Sequence, residues 1–334
     1  MSALPELPRI VITDRATHFT NASREMLERS GVVFADAESA GEDPMHWIRN
    51  AEVLLVTWFP VTADVVAQLR RCRAIIRIGV GYDNVDTEAA RARGIAVCNV
   101  PDYGTEEVAD HAMALALSLS RGLPFLERSL RSGQWIPALP GPIAAFRTLC
   151  FGVLGCGRIG RATLERARAF RFQLLACDPY LPAEAFPAGV RACALDELLA
   201  WSDILSLHAP LTPETRHLIN TRRLAQMKPT SILINTARGA IVDTHALVEA
   251  LADRRIAAAG LDVFEEEPLP PDHPLLQSPR VLVTPHHAWY STQSREALYR
   301  MAVEEALRAV HGVPLRSCVN GVQPNRASAS AQER

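Results

Sequence analysis

Gly155, Gly157 and Gly160 stand in G-x-G-x-x-G spacing, and Asp178 follows the last of them by 18 positions. An apolar run, Cys150 to Leu154, leads into the glycines. A helical pattern follows, then a second apolar run, Phe172 to Cys177, that ends at the aspartate. A glycine triplet alone is weak evidence, but inside a strand–turn–helix–strand unit it is the pattern that binds a dinucleotide. Gly155 permits the tight turn out of the strand, Gly157 leaves room for a pyrophosphate at the backbone, and Gly160 lets the helix lie close on the sheet. The helix N-terminus turns unpaired N–H groups and the positive end of its dipole toward the same anion. Asp178 can accept from both adenosine ribose hydroxyls, and its charge repels a 2′-phosphate, which favours NAD over NADP. Arg158 and Ile159 lie in the turn; Arg158 either touches the pyrophosphate or is a solvated helix residue.

Three further segments place polar residues directly after apolar runs. Asn235-Thr236-Ala237-Arg238-Gly239 follows SILI, GLDVFEEEP spans Gly260 to Pro268, and TPHHAWY spans Thr284 to Tyr290. An arginine (Arg238), a carboxylate (Glu267) and a histidine (His286) thus fall at strand ends, the edge at which open α/β sheets bind ligands. Taken singly, Arg238 reads as a surface ion-pair partner, Glu267 as part of a solvated acidic turn and His286 as a helix cap. Together, beside a dinucleotide motif, they read as a site.

Such residues need a sheet to align them. Arg9 to Thr13, Val53 to Thr57, Ala74 to Ile78 and Ile95 to Asn99 read as strands, with helical patterns over Ser23 to Ser30 and Ala63 to Arg70 between them. This alternation predicts a parallel sheet. A turn at Pro101 to Gly104 precedes a long Ala/Leu-rich helix, Glu106 to Arg121. Beyond the glycine motif, Asp203 to Leu207, Ser231 to Asn235, Ala257 to Asp262 and Val281 to Thr284 read as strands, and Ser291 to His311 as a helix. The tail, Gln323 to Arg334, is polar and reads as disordered. A chain of 334 residues exceeds what one core usually serves. The net charge of −2 makes no electrostatic case for nucleic acid or a membrane surface. Seven scattered cysteines without a C-x-x-C pair fit a reducing, cytoplasmic setting and argue against a disulfide framework or structural zinc. The first ten residues do not read as a signal peptide, and no apolar run approaches the ~20 residues that span a bilayer.

The glycine motif with Asp178, NTARG, GLDVFEEEP and TPHHAW, in this order and spacing, resemble the D-isomer-specific 2-hydroxyacid dehydrogenase family over about residues 50 to 320. RIGVGYDNVD, CNVP, HHAWYS and the closing CVN look most like its C-terminal binding protein branch, which holds NAD-binding corepressors as well as dehydrogenase-like proteins. The resemblance implies an α/β fold of two Rossmann-like domains with doubly wound parallel sheets. Residues 1–101 and 291–334 would form a split substrate domain and residues 102–290 an inserted NAD-binding domain, with the active site in the cleft, hinges near Pro101 and Tyr290, and a homodimer formed through the NAD domain.

The resemblance also implies roles. Reduction of a 2-keto acid needs a hydride at C2 and a proton at its oxygen. His286 would give the proton, Glu267 would hydrogen-bond the other imidazole nitrogen, and Arg238 would grip the substrate carboxylate with its planar fork of donors. His287 is the less favoured donor. Backbone N–H groups at Val80 and Gly81 would complete the carboxylate site, with Tyr82 and Trp289 beside the substrate. The aromatics Trp58, Phe59, Tyr82, Trp289 and Tyr290 favour an apolar or aromatic substrate over a phosphorylated one. His208, Ala209 and Pro210 would line the adenine side; Thr236, Ala237, Arg238, Asp262, His286 and Ala288 would surround the nicotinamide, Asp262 taking its carboxamide, with Thr105 a further contact. Asp83 and Asn84 read as turn-fixing residues, and His111, His217, His245 and His273 as structural or surface histidines rather than metal ligands. Two readings stand: a dehydrogenase acting on a small 2-keto or 2-hydroxy acid, or an NAD-responsive binding protein. Formate dehydrogenase is disfavoured, because it carries glutamine where Glu267 stands.

Overall fold

The computed structural model describes residues 9–14, 19–37, 44–135 and 141–323, so the tail from 324 onward lies outside the described residues. The chain divides into two compact units: Met1–Gly104 with Ser291–Arg334, and Thr105–Tyr290.

The first unit alternates strand and helix: β1 (Ile10–Ile12), α1 (Asn21–Arg29), β2 (Phe34–Asp36), α2 (Pro44–Asn50), β3 (Val53–Val56), α3 (Ala63–Gln68), β4 (Ala74–Arg77), α4 (Thr87–Ala92) and β5 (Ala96–Cys98). Its described strands form one sheet in the order β2-β1-β3-β4-β5, and every pair is parallel. β1, β3, β4 and β5 are buried end to end, as parallel strands covered on both faces must be. Side chains of Thr20, Thr62 and Asp86 accept from the first-turn N–H groups of α1, α3 and α4, satisfying donors that a helix start leaves open. The edge strand β2 is only half-buried and three residues long. It has neither the apolar run nor the alternation by which a strand is read, and the sequence pattern does not announce it.

The second unit contains α5 (Thr105–Ser120), α6 (Leu123–Arg131), β6 (Cys150–Leu154), α7 (Arg158–Ala169), β7 (Gln173–Cys177), β8 (Arg191–Ala192), α8 (Leu195–Trp201), β9 (Ile204–Leu207), α9 (Thr221–Leu224), β10 (Ile232–Asn235), α10 (Thr244–Ala252), β11 (Ala258–Leu261), α11 (Pro274–Gln277) and β12 (Val281–Val283). All its strand pairs are parallel, in the order β12-β11-β10-β9-β6-β7-β8. The chain therefore runs one way from β6 to β8 and the other way from β9 to β12. The reversal falls between β6 and β9, and a doubly wound sheet binds ligands beyond the strand ends at such a point. A core lies on each face. Ala112, Met113, Leu115 and Ala116 of α5 pack with Phe151, Leu164 and Phe172; Leu198, Leu205, Leu233, Leu247 and Leu251 fill the other.

The chain then returns to the first unit as α12 (Thr292–Val310), opened by a capping box between Ser291 and Ser294. α12 packs on α1, β3 and β4. Past it, Val319 N donates to Val97 O at 2.8 Å, and the buried Asn320 side chain clamps β5, accepting from Val97 N at 3.0 Å and donating to Ile95 O at 2.9 Å. An edge strand that would otherwise offer unpaired groups is thereby covered.

Candidate active site

Because the sheet of the second unit is parallel, the C-terminal ends of its strands share one edge. Read along that edge they carry Thr284–Ala288 after β12, Asp262–Glu267 after β11, Thr236–Arg238 after β10, His208–Pro210 after β9, the glycine turn after β6 and Asp178 after β7.

The glycine turn has the shape its spacing predicts. Gly155 takes a left-handed φ of +91°, and a Cβ on Gly160 would lie 2.0 Å from Gly155 O, so the helix comes as near as it does only without a side chain there. Gly157 is the N-cap of α7 and is exposed, with open space where a Cβ would stand. No side chain caps α7 and no acidic residue occupies its first turn, so the N-terminal N–H groups and dipole are left to an anion. Arg158 is exposed and Ile159 half-buried. The Asp178 carboxylate accepts from Cys156 N at 2.9 Å and Tyr180 N at 3.1 Å. A carboxylate has about four acceptor sites, so capacity for ribose hydroxyls remains. His208 bonds Ser206 Oγ at 2.8 Å, and burial pushes its imidazole down to about 3, which keeps it neutral beside the turn. Ala209 is half-buried and Pro210 exposed. Thr105 opens α5, the helix packed against α7. The buried Thr236 Oγ1, at the end of β10, has no hydrogen-bond partner among the described residues. An orphaned hydroxyl, an open glycine and an uncapped helix along one edge fit a dinucleotide.

The ionisable set lies at the other end of that edge. His286 Nδ1 is 2.7 Å from Glu267 Oε2, and Glu267 Oε1 accepts from Phe264 N at 2.8 Å. Burial raises the Glu267 carboxyl, but the hydrogen bond and charge of His286, the Phe264 amide and the Arg238 charge outweigh it and hold the group below its usual range. Arg238 is half-buried, and its main-chain oxygen accepts from Asn235 Nδ2 at 2.9 Å, which ties the NTARG loop to β10. A Cβ on Gly239 would fall 1.8 Å from the Phe264 carbonyl carbon, so this loop lies directly on the GLDVFEEEP loop. His287 turns elsewhere: its ring stacks on Tyr290 at 4.6 Å, and Trp289 meets Tyr290 edge-on at 5.7 Å.

His286 has φ +53°, a costly conformation for a residue with a Cβ. Asp262 holds it there. Its main-chain oxygen accepts from His286 N at 2.7 Å, and its carboxylate, 1% exposed, accepts from His287 N at 2.8 Å, Ala288 N at 2.9 Å and Thr284 Oγ1 at 2.5 Å. Asp262, expected to take a carboxamide, is seen here fixing the turn that aims His286. His111, expected to be an ordinary structural histidine, extends this network from α5, with Nε2 2.9 Å from Thr284 Oγ1. His217 pairs with Glu265 at 2.5 Å, and His273 caps α11 through an acceptor ring nitrogen. Among the described residues, no group of three or more His, Cys, Asp or Glu is placed to hold a metal, and no helix is long and apolar enough to cross a membrane.

The remaining expected substrate residues lie in the first unit. Val80 and Tyr82 are exposed and Gly81 half-buried, in the loop after β4. Val80 O accepts from Asn99 Nδ2 at 2.7 Å. The Asn84 side chain donates to Phe59 O at 3.0 Å, the turn-fixing part read for it. Asp14, which no pattern singled out, gathers the loop after β3 by accepting from Thr57 N at 2.8 Å, Trp58 N at 2.9 Å and Phe59 N at 2.8 Å.

A family model described as the NAD binding domain of D-isomer specific 2-hydroxyacid dehydrogenases matches residues 113–288. The chain is 39% identical to the D-3-phosphoglycerate dehydrogenase of Methanocaldococcus jannaschii over 89% of its own length, although the match spans only 57% of that protein. It is 41% identical to the glyoxylate reductase of Korarchaeum cryptofilum, covering 76% of this chain and 77% of the relative. Among solved structures, the D-lactate dehydrogenase from Aquifex aeolicus complexed with NAD and lactic acid superposes with a TM-score of 0.82 at 28% identity, covering 91% of this chain and 96% of the other.

Proposed function

The chain belongs to the D-isomer-specific 2-hydroxyacid dehydrogenase family and carries its NAD-binding domain; from that premise we propose that it moves a hydride between NAD(H) and C2 of a small 2-keto or D-2-hydroxy acid, with Arg238, Glu267 and His286 as the catalytic set. The observation that carries this reading is the 2.7 Å contact between His286 and Glu267, with the Arg238 charge acting on the same carboxylate.

NADH, when bound, supplies the hydride. Gly155, Gly157 and Gly160 with the α7 N-terminus hold the pyrophosphate, Asp178 the ribose, and Thr236 at the end of β10 offers its hydroxyl at the nicotinamide end. Arg238 binds the substrate carboxylate and draws electron density from the keto group, which its planar donors suit better than a point charge. With Nδ1 turned to Glu267, His286 gives its proton to the keto oxygen from Nε2, and takes it back in the oxidative direction. Glu267 stays ionised and offsets the charge on the imidazolium.

Several finer readings rest on this one. Asp178 supports a preference for NADH over NADPH. Trp289, which follows His286 by three positions and packs edge-on against Tyr290, supports a substrate with an apolar or aromatic side chain. The resemblance to the C-terminal binding protein branch supports an NAD(H)-responsive protein-binding role as the second reading. A homodimer and a cytoplasmic location complete the proposal.

The test is a panel of 2-keto acids bearing hydrogen, alkyl, thioether, phenyl and phosphate groups, run with NADH and NADPH and read by loss of reduced-nicotinamide absorbance. Turnover with at least one acid, faster with NADH, is expected, with the apolar acids ahead of the phosphorylated one. NADH binding without reduction of any acid overturns the enzymatic reading in favour of the binding protein.

A further inference from the structure

Two cysteines of the first unit face each other. β5 and the segment after α12 form an antiparallel bridge at Cys98 and Cys318. The flanking bonds run from Val319 N to Val97 O at 2.8 Å and from Asn99 N to Ser317 O at 3.3 Å. Bonds on either side and none between the two residues define a non-hydrogen-bonded pair, where opposed Cα atoms stand about 4.5 Å apart and the side chains come closest. A disulfide accepts Cα separations of roughly 4.4–6.8 Å, a range that takes in pairs of this class.

The surroundings give the two sulfurs different parts. Cys318 is half-buried, with its Sγ 3.3 Å from Asn320 Oδ1 and 2.8 Å from Val322 O. Cys98 is fully buried, within electrostatic reach of the Glu305 carboxylate. Glu305 is itself 4% exposed and accepts from Arg316 N at 2.6 Å and Ser317 N at 3.2 Å. Burial, together with Glu305 and Cys318, pushes the Cys98 thiol upward, so Cys98 is not the thiol that meets an oxidant from solution.

We propose that Cys98 and Cys318 form a redox-modification site, which a hydroperoxide closes to a reversible disulfide. The Cys318 sulfur attacks a peroxide oxygen; the O–O bond breaks, an S–O bond forms, and the first water leaves. The Cys98 sulfur then attacks Cys318 Sγ, giving its proton to Glu305. The S–O bond breaks, the S–S bond forms, and hydroxide takes that proton to leave as the second water. The two thiols lose two electrons and two protons in all, and hydrogen peroxide is reduced to two waters. The bond closes a chain loop that contains the whole of the second unit and fixes the CVN segment on β5.

The experiment exposes the full chain to hydrogen peroxide, alkylates it under denaturing conditions and maps unreduced peptides by mass spectrometry. A Cys98–Cys318 linked pair, lighter by two hydrogens and released by dithiothreitol, is expected. In Cys318→Ser the link disappears and Cys98 stays alkylatable, while the reduced variant retains the NADH turnover of the parent. In Glu305→Gln the second step slows, so the Cys318 sulfenic acid accumulates and is trapped by dimedone. Oxidation of Cys318 to sulfinic acid with Cys98 still a thiol, a bond between two chains, or a link between two other cysteines in its place overturns the proposal.

Discussion

Two adjacent histidines separate cleanly by what their rings touch. His286 faces a carboxylate, whereas His287 stacks on an aromatic ring. His286→Ala is therefore expected to lose about 10²- to 10⁴-fold in turnover, the usual cost of removing a general acid, and His287→Ala far less; equal losses in steady-state assays would remove His286 from its role. Glu267→Gln tests the charge rather than the hydrogen bond. The carboxyl is held below its usual range, so it stays ionised beside the imidazole well into acid. Reduction requires a proton on His286, and removing the neighbouring negative charge disfavours the protonated ring. The pH profile of keto-acid reduction should thus move to lower pH in Glu267→Gln, and an unmoved profile would leave Glu267 a purely steric part. The glycines and Asp178 are legible in sequence because the motif is contiguous and its geometry is mostly backbone. The Asp262 network is not: its acceptors meet two main-chain N–H groups 25 and 26 residues away, and His111 reaches Thr284 across 173 residues. No spacing rule encodes a contact of that kind.

At the scale of elements, the site is a property of strand direction. The strands that carry the site stop where its residues begin, and parallel pairing turns distant sequence segments into neighbours on one edge. Strand ends were readable to within a residue or two because buried parallel strands are short apolar runs bounded by polar loops. Elements without such a run, β2 and the two-residue β8 among them, escape the pattern. The loops that carry Arg238 and Glu267 are registered against each other by backbone contact at Gly239. Gly239→Ala should push the Phe264–Glu265 backbone away, at a cost of about 1–3 kcal/mol in stability, and disturb Arg238 and Glu267 together. A lowered thermal midpoint with reduced turnover is expected; a variant that melts and turns over like the parent contradicts the packing described.

For the whole molecule, the surface of the second unit suggests its own partner. The apolar face of α5 is spent inside: Ala109, Ala112, Met113, Leu115 and Ala116 are buried in the core of that unit. Exposed apolar residues that stand close in sequence occur on and after α6, with Leu123 at 53%, Leu130 at 54% and Trp135 at 82% exposure. A homodimer through this surface predicts about twice 36.6 kDa by light scattering at micromolar concentration, and a monomeric mass for Leu123→Lys with Leu130→Lys; a monomeric parent would rule it out. The discontinuity of the first unit has a further consequence. β3 and β4 are packed by α12, which lies beyond the entire second unit in the chain. On the ribosome, the first hundred residues emerge with that helix still unmade, whereas the second unit is contiguous and holds all its strands before α12 is synthesised. Domains fold as units while the chain grows, so the unit that is second in sequence is the first able to finish, and the segment before it must keep an apolar sheet face waiting, within reach of chaperones, until α12 has been made.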